Sequence, residues 1–329
     1  MHSRCVGCWG IVLLVLACAG LPDAYGQNPQ GGNAGLPLRT LAPGVLQVIP
    51  PGGEGGDTYV GPVPLPGITQ RLSGLDWNPN FEPKSQTLLE RAKAVVYHHP
   101  IWSLEFAFKP LRMIEVDVPQ PSGGTQRKQI WYLVYRVRNV GYDLNPELKE
   151  PVPGLKAPEI ELVNYATRRF FPHFVLASHE FDVQYLDRVI PAAKRPIQLR
   201  ENPGVEMYNS VEMTQVKIPL SDDLADRSVW GFATWEDIDP RIDFFSIYVR
   251  GLTNAFRVVD TTGTDQPGAG RQHAFKVLQL NFWRPGDTQY QHEREIQYGV
   301  PIETDPAKQQ AVLEKYGLQQ RLDYRWVYR

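Results

Sequence analysis

The stretch QIWYLVYRVRNVG, residues 129–141, decides the fold class of this 329-residue chain. Its apolar side chains recur at every second position and are Trp131, Leu133, Tyr135 and Val137. Arg136 and Arg138 fall on the opposite face of an extended chain. The alternation predicts a half-buried β-strand, and Asn139 and Gly141 predict a turn at its end.

The same period of two recurs along most of the chain. The further predicted strands are residues 101–108, 111–119, 168–178, 211–219, 229–235, 244–252, 273–283 and 321–329. Long helical patterns do not separate them, which argues against a parallel α/β sheet. The sequence therefore predicts a mainly β fold, an antiparallel β-sandwich of immunoglobulin-like architecture with one or two sub-domains.

Two segments follow helical spacing instead. The first starts at Ser85 and carries apolar residues at nearly helical intervals through residue 96, which predicts an N-terminal helix. The second has Asp305 as its N-cap, Pro306 at its first position and Gly317 after its end. It predicts a short C-terminal helix.

The N-terminus has the composition of an export signal. Arg4 gives a weakly positive start, residues 9–21 are apolar, and Ala24 and Gly26 form the small-residue pattern read by signal peptidase. The apolar run is shorter than the roughly 20 residues of a membrane span. We therefore predict a signal peptide over residues 1–26, so that the protein is exported to the periplasm or cell envelope, or secreted.

A second interpretation of the leader concerns Cys18. The sequence VLAC that ends there resembles a bacterial lipobox, in which the cysteine is acylated and becomes the new N-terminus; only then would the protein attach to a membrane. All three cysteines of the chain lie in the leader. Cleavage after Gly26 would leave a mature protein without a thiol nucleophile, a thiolate zinc site or a disulfide.

Three regions are predicted after the leader. Residues 27–75 are dense in Gly and Pro, which predicts a disordered linker, either a spacer or a tail without a role. Residues 76–182 and 183–329 are predicted to be two β-rich sub-domains. The 34 basic and 36 acidic residues are interspersed, so the chain lacks the basic excess of a nucleic-acid-binding protein.

The segment GFATWEDIDPRIDFF, residues 231–245, concentrates carboxylates between two predicted strands. They are Glu236, Asp237, Asp239 and Asp243. Such a cluster can bind calcium, which takes six to eight oxygen ligands, or supply paired catalytic acids. However, the spacing of a helix–loop–helix calcium site is missing, and Asp239-Pro240 favours a turn. We predict the solvated end of a hairpin and keep calcium as the alternative, with no other cofactor.

Histidines and aromatic residues supply the remaining candidates. A metal site could combine His173 and His179 with an acid, although the H-E-x-x-H pattern of a zinc helix is missing. Trp77 and Trp283 fall beside turns, where an indole ring could stack on a sugar. Most other aromatic residues occupy alternating strand positions, which is typical of a core.

Three segments together carry a resemblance. VWGFATWEDIDPRIDFFSIYVRGLTNAFR (229–257), LQLNFWRPGD (278–287) and LDYRWVYR (322–329) resemble an uncharacterised family of exported proteins from planctomycete-type bacteria. The resemblance covers roughly residues 76–329. It implies an envelope location and assigns no catalytic role to any residue.

These observations favour one class of function over two others. We expect an exported, non-enzymatic envelope protein with a binding or structural role, whose partner is an envelope protein or polysaccharide. The alternatives are a metal-dependent hydrolase that acts on envelope polymers and a carbohydrate-binding module.

Overall fold

The computed structural model describes residues 45–63, 95–152, 155–222, 225–260, 271–284 and 296–329. The predicted leader with Cys18, most of the predicted linker, Trp77 and most of the helix predicted from Ser85 lie outside these ranges. None of the described helices is long and apolar enough to cross a bilayer.

The described residues form a mainly β fold, as predicted. In chain order the strands are β1 (Gln47–Ile49), β2 (Tyr59–Val63), β3 (Val95–His98), β4 (Ile101–Phe108), β5 (Arg112–Pro119), β6 (Thr125–Val152), β7 (Leu155–Val163), β8 (Thr167–Arg168), β9 (His173–Ser178), β10 (Gln184–Leu186), β11 (Met207–Tyr208), β12 (Ile218–Pro219), β13 (Val229–Trp235), β14 (Phe244–Arg250), β15 (Phe256–Asp260), β16 (Arg271–Trp283), β17 (Gln297–Tyr298) and β18 (Tyr324–Tyr328). The helices are α1 (Pro191–Glu201), α2 (Ser210–Met213) and α3 (Pro306–Lys315).

Most strands belong to two seven-stranded sheets. Sheet 1 has the order β1-β4-β6-β13-β11, with β5 and β7 also paired to β6. Sheet 2 has the order β10-β9-β14-β16-β15, with β17 and β18 also paired to β16. All pairings within sheet 2 are antiparallel, whereas sheet 1 contains one parallel pair, β11 with β13.

The two sheets share one hydrophobic core. Phe106 and Trp131 of sheet 1 contact Phe174 and Phe245 of sheet 2, with ring centroids 6.4 Å apart for Phe106–Phe174 and 5.7 Å apart for Trp131–Phe245. Rings of this size bury a large apolar area each, so they dominate the energetics of such a core. Both sheets contain strands from either side of residue 182, and the predicted sub-domain boundary therefore does not divide this core.

The outer face of sheet 1 is covered by helix α1, which the sequence interpretation missed. Ala193 and Ile197 are one helical turn apart, and they pack against Tyr132 and Phe232 on the sheet. A buried carboxylate at the end of the helix fixes this contact, because Glu201 accepts hydrogen bonds from Lys109 Nζ (3.1 Å) and Tyr132 Oη (2.8 Å). The segment that follows the predicted sub-domain boundary is thus part of the layered structure.

The glycine-rich segment predicted as a linker is folded over residues 45–63, so the prediction is wrong there. We call residues 50–58 the N-terminal strap. Gly52 lies so close to the indole of Trp326 that a Cβ would overlap the ring, and its N–H donates to Ser103 Oγ (2.9 Å). Asp57 is buried in an ion pair with Lys276 (2.6 Å). Gly52 thus permits close packing against strand β18, which a residue with a side chain would not.

Three local predictions are also corrected. Residues 95 and 96, the end of the helix predicted from Ser85, belong instead to strand β3, which pairs with β2. Residues 211–219, predicted as a strand, contain α2, because Asn209 caps that helix by accepting hydrogen bonds from the N–H groups of Val211 and Glu212. The long strand β6 does not end in a turn at Gly141 but continues to Val152.

A β-bulge replaces that predicted turn. Ser103 and Glu105 are two residues apart on β4, whereas their partners on β6, Tyr142 and Arg138, are four residues apart. Strand β6 therefore contains extra residues at this point. Gly141 has a φ of 73° within this bulge. A bulge bends a strand and re-aims its side chains, and the residues after this one belong to the candidate site described below.

Candidate functional site

The acidic segment 236–243 does not close a hairpin. Strand β13 pairs with β6 in sheet 1, and strand β14 pairs with β9 and β16 in sheet 2, so the segment crosses from one sheet to the other. Ile238 and Ile242 are buried in the shared core. The segment therefore closes one end of the core, because its two isoleucines alternate with the acids and anchor the connection.

Three of the four carboxylates of this segment form ion pairs. Glu236 pairs with Lys128 (2.9 Å) and Arg188 (2.6 Å), and Asp237 pairs with the same Lys128 (2.9 Å). Asp239 pairs with Arg241 (2.6 Å). The hydrogen bonds from Arg241 lower the pKa of the Asp239 carboxyl to about 2.

Asp243 stands apart from the other three acids. Its N–H donates to Glu180 Oε2 (2.9 Å), and burial raises the pKa of its carboxyl, with the nearby Glu180 raising it further. No group of three or more histidine, cysteine, aspartate or glutamate side chains in the described part of the chain is arranged to hold a metal ion. The four carboxylates are thus neutralised by nearby cations or held separately, instead of converging on one point.

The two candidate histidines lie at opposite ends of β9. His173 begins the strand and is exposed, whereas His179 follows its last residue and is half-buried. His179 Nε2 hydrogen-bonds Ser246 Oγ (2.7 Å), and its ring packs on Tyr316 (centroids 4.7 Å apart). Burial, aided by Arg325, lowers the pKa of His179 to about 4, so this histidine is a neutral member of a buried hydrogen-bond network.

Trp283, the described one of the two candidate tryptophans, does not form an exposed platform. It ends β16, where it lies opposite Phe244 and Gln297, and it is half-buried. A different tryptophan, Trp102, lines a cavity at the edges of the two sheets.

This edge cavity has a volume of about 310 Å³. Its lining comes from five separate parts of the chain and consists of Pro100, Ile101, Trp102, Asp143, Leu144, Asn145, Tyr165, Arg168 and Asn254. Ligand pockets start at about 300 Å³ and combine aromatic side chains with a few placed polar groups. The edge cavity has this composition at the small end of that range.

Asn254 fixes one wall of the edge cavity. Its Oδ1 accepts a hydrogen bond from the backbone N–H of Trp102 (2.8 Å), and its Nδ2 donates to the carbonyl oxygen of Pro100 (3.1 Å). Ser103 and Thr253 form a β-bridge beside it. The loop after β14 of sheet 2 is therefore joined to β4 of sheet 1, and this joint holds the backbone of Trp102 in place.

A buried ion pair forms the opposite wall. Asp143 is only 3% exposed, and its Oδ1 accepts hydrogen bonds from both Nε (2.9 Å) and Nη2 (2.5 Å) of Arg168. Its Oδ2 accepts a longer hydrogen bond from the N–H of Tyr165 (3.4 Å). Asp143 lies two residues after Gly141, and β6 places it directly opposite Trp102 of β4, on the other side of the cavity from Asn254.

Two aromatic rings surround the guanidinium of this pair. Arg168 lies over the ring of Tyr165 at 4.2 Å from its centroid and over the ring of Trp102 at 5.8 Å. The Tyr165 side chain is also exposed to solvent, at 45%. Planar cations on aromatic faces are held in place by the ring quadrupole, so the rings and the ion pair form one rigid wall.

Sequence reasoning missed this site. Asp143, Tyr165 and Arg168 lie within 26 positions of one another, but no motif connects them, and Trp102 and Asn254 come from distant parts of the chain. A partial signal was available in Asp143, a carboxylate that follows a strand of alternating apolar residues, and in Tyr165, which lies beside Asn164 just before the predicted strand 168–178. Neither pattern indicates that the two side chains meet.

Comparisons with known proteins add no family. No family model, no curated protein and no solved structure matches the chain. The resemblance to exported proteins of planctomycete-type bacteria therefore stays a prediction.

Proposed function

We propose that this chain is an exported, non-enzymatic envelope protein with a binding role, and that its ligand is an envelope polysaccharide held in the edge cavity. The proposal includes an immunoglobulin-like sandwich, which the face-to-face packing of sheets 1 and 2 supports. The observation that carries the binding role is the wall in which Asp143 and Arg168 pair beside two aromatic rings.

Sugars suit such a wall for two reasons. The C–H groups on one face of a pyranose ring pack on aromatic side chains, which bring a large apolar area together with a polar edge. The hydroxyl groups of the sugar need polar partners, and the edge cavity offers a carboxylate, a guanidinium and two amides. The structural alternative, a wall that only stabilises the sheet edges, does not require the open volume.

Intrinsic fluorescence tests the proposal, because Trp102 would report on the occupied cavity. The purified protein is titrated with a panel of envelope polysaccharides and their oligosaccharides. We expect a saturable change in emission that is lost in Trp102→Phe. Tyr165→Ala should weaken binding about 3- to 10-fold, which corresponds to the loss of one aromatic contact of about 1 kcal/mol.

Phe171→Ala is the matched control, since Phe171 is another exposed aromatic residue but does not line the edge cavity. It should bind the same glycans as the unmodified protein. The proposal would be contradicted if no glycan of the panel changed the fluorescence. It would also be contradicted if Tyr165→Ala and Phe171→Ala weakened glycan binding equally.

The exported location has its own test. We expect the protein in the envelope fraction with Gln27 as its first residue, because Ala24 and Gly26 provide the cleavage pattern. Incorporation of labelled fatty acid that Cys18→Ala abolishes would instead establish the lipoprotein alternative. A cytosolic protein that retains residues 1–26 would contradict export.

A further inference from the structure

The charges that line the edge cavity cancel. Among the described residues that line it, one acid, Asp143, and one base, Arg168, are present, and they are paired at 2.5 Å. A ligand with a net charge would need a counter-charge that this lining does not offer. It would otherwise compete for one member of a buried pair, which leaves the second member uncompensated at high cost.

The polar groups of the lining include both donors and acceptors. Asp143 accepts hydrogen bonds and Arg168 donates them, while Asn145 and Asn254 can do both. A hydroxyl group is the ligand group that matches such a mixed set, because it donates one hydrogen bond and accepts others. A ligand with several hydroxyl groups therefore suits this lining better than one with only acceptors.

The size and the aromatic residues complete the ligand description. A volume of about 310 Å³ suits a small ring compound rather than a long segment of polymer. Trp102 and Tyr165 provide flat apolar surface near the ion pair. A pyranose ring combines a flat apolar face with hydroxyl groups around its rim.

We propose that the edge cavity binds a neutral pyranose unit and discriminates against carboxylated sugars, with the Asp143–Arg168 pair as the element that sets this preference. The inference rests on the proposed binding function. It specifies the class of sugar, which the proposed function leaves open.

Matched pairs of sugars test the inference. The probes are the methyl glycosides of glucose and glucuronate and those of galactose and galacturonate, which differ within each pair only in one carboxylate. Binding is measured by tryptophan fluorescence and by saturation-transfer NMR, which detects weak binding. We expect the unmodified protein to bind at least one neutral member, and to bind its acidic counterpart at least tenfold more weakly.

Asp143→Asn should reverse the preference. The change keeps the shape of the side chain but leaves the charge of Arg168 uncompensated, so the acidic sugar gains a charge-assisted hydrogen bond. We expect the ratio of acidic to neutral affinity to rise at least tenfold. Asp226→Asn is the control, because it breaks an ion pair with Arg136 (2.9 Å) outside the cavity and should leave the ratio unchanged.

Tyr165→Ala is the second variant in case Asp143→Asn does not fold. Tyr165 is partly exposed, so its truncation should disturb the fold less. It should weaken binding of both members of a pair and leave their ratio as in the unmodified protein. A protein that binds no sugar of either class in the full panel would overturn the proposed function itself.

Other results would overturn the inference alone. If the unmodified protein binds both members equally, or prefers the acidic member, the proposed function stands and the neutral-sugar preference is wrong. If the neutral sugar is preferred but a folded Asp143→Asn protein keeps the same ratio, the ion pair does not set the preference.

Discussion

The acidic segment 236–243 and the edge cavity place charged side chains in opposite ways. The acids of the segment are neighbours in sequence, yet each is neutralised by a nearby cation or held apart. Asp143 and Arg168 of the cavity are separated in sequence, and the fold brings them together beside Trp102. A run of carboxylates is therefore a weak indicator of a site, because solvent and local cations satisfy it without any geometry of its own.

The largest effect should come from the buried pair of the cavity. Asp143→Ala removes the partner of a half-buried guanidinium, and breaking such a pair from one side costs about 3 kcal/mol or more. We expect a loss of that size in the free energy of unfolding, measured by urea denaturation. Asp239→Ala in the acidic segment is the comparison, because the Arg241 side chain is 63% exposed and stays solvated. Similar losses in the two variants would remove the distinction between the regions.

The second prediction concerns the pH dependence of stability at His179, which the sequence also indicated as a candidate metal ligand. Its pKa in the folded protein is about 4, below the usual 6.5, because burial disfavours the charged ring and Arg325 and Arg329 repel it. Between these two pH values the unfolded chain binds more protons, so stability falls as the pH drops from about 6.5 to 4. The expected loss from this group is roughly 3 kcal/mol.

His179→Gln isolates that contribution, since an amide can still hydrogen-bond Ser246 but does not titrate in this range. The difference in unfolding free energy between the two proteins should shrink or reverse on acidification to pH 4. A difference that is independent of pH would show that His179 is not a buried neutral group.

The same contrast between sequence and fold appears in the N-terminal strap. Gly52→Ala should destabilise the protein by about 1–3 kcal/mol, the usual range for overpacking, because its Cβ would overlap the ring of Trp326. Gly56→Ala should have little effect, as a Cβ there meets nothing within 4 Å. Thermal and urea unfolding of the two variants measure the difference. Equal stability of the Gly52→Ala and Gly56→Ala variants would instead support the flexible linker that the glycine content predicted.

Local patterns explain which parts of the fold were predictable. Strand β4 and strand β13 match the predicted residues 101–108 and 229–235, because alternation is a property of a few consecutive side chains. Helix α3 begins where Asp305 accepts a hydrogen bond from the N–H of Ala307, and it is followed by Gly317 with a φ of 63°. Capping of this kind also depends only on neighbouring residues.

Features that depend on distant partners were not predictable in the same way. The strap needs Trp326 from the far end of the chain, and glycine density alone indicates disorder. The crossing of residues 236–243 between sheets depends on which strands pair, and alternation does not specify partners. Helix α1 had a local signal in Pro191, Ala193 and Ile197, but two prolines in eleven residues obscured it. The edge cavity likewise needs distant partners, because strands β4 and β6, Arg168 of β8 and the loop after β14 must meet at one place.

The smallest expected effect concerns calcium at the acidic segment. Calcium binding to the folded protein would raise the melting temperature by mass action, provided that several carboxylates were free to coordinate the ion. Lys128 and Arg188 already neutralise Glu236, and Arg241 neutralises Asp239. We therefore expect the same melting temperature in excess calcium and in excess chelator.

Lys128→Met sharpens the test, because it releases Glu236 and Asp237 from a shared cation while Asp239 stays paired. A calcium-dependent rise in the unmodified protein would make the segment a metal site after all; a rise in Lys128→Met alone would show that the cation at this position is what keeps calcium out.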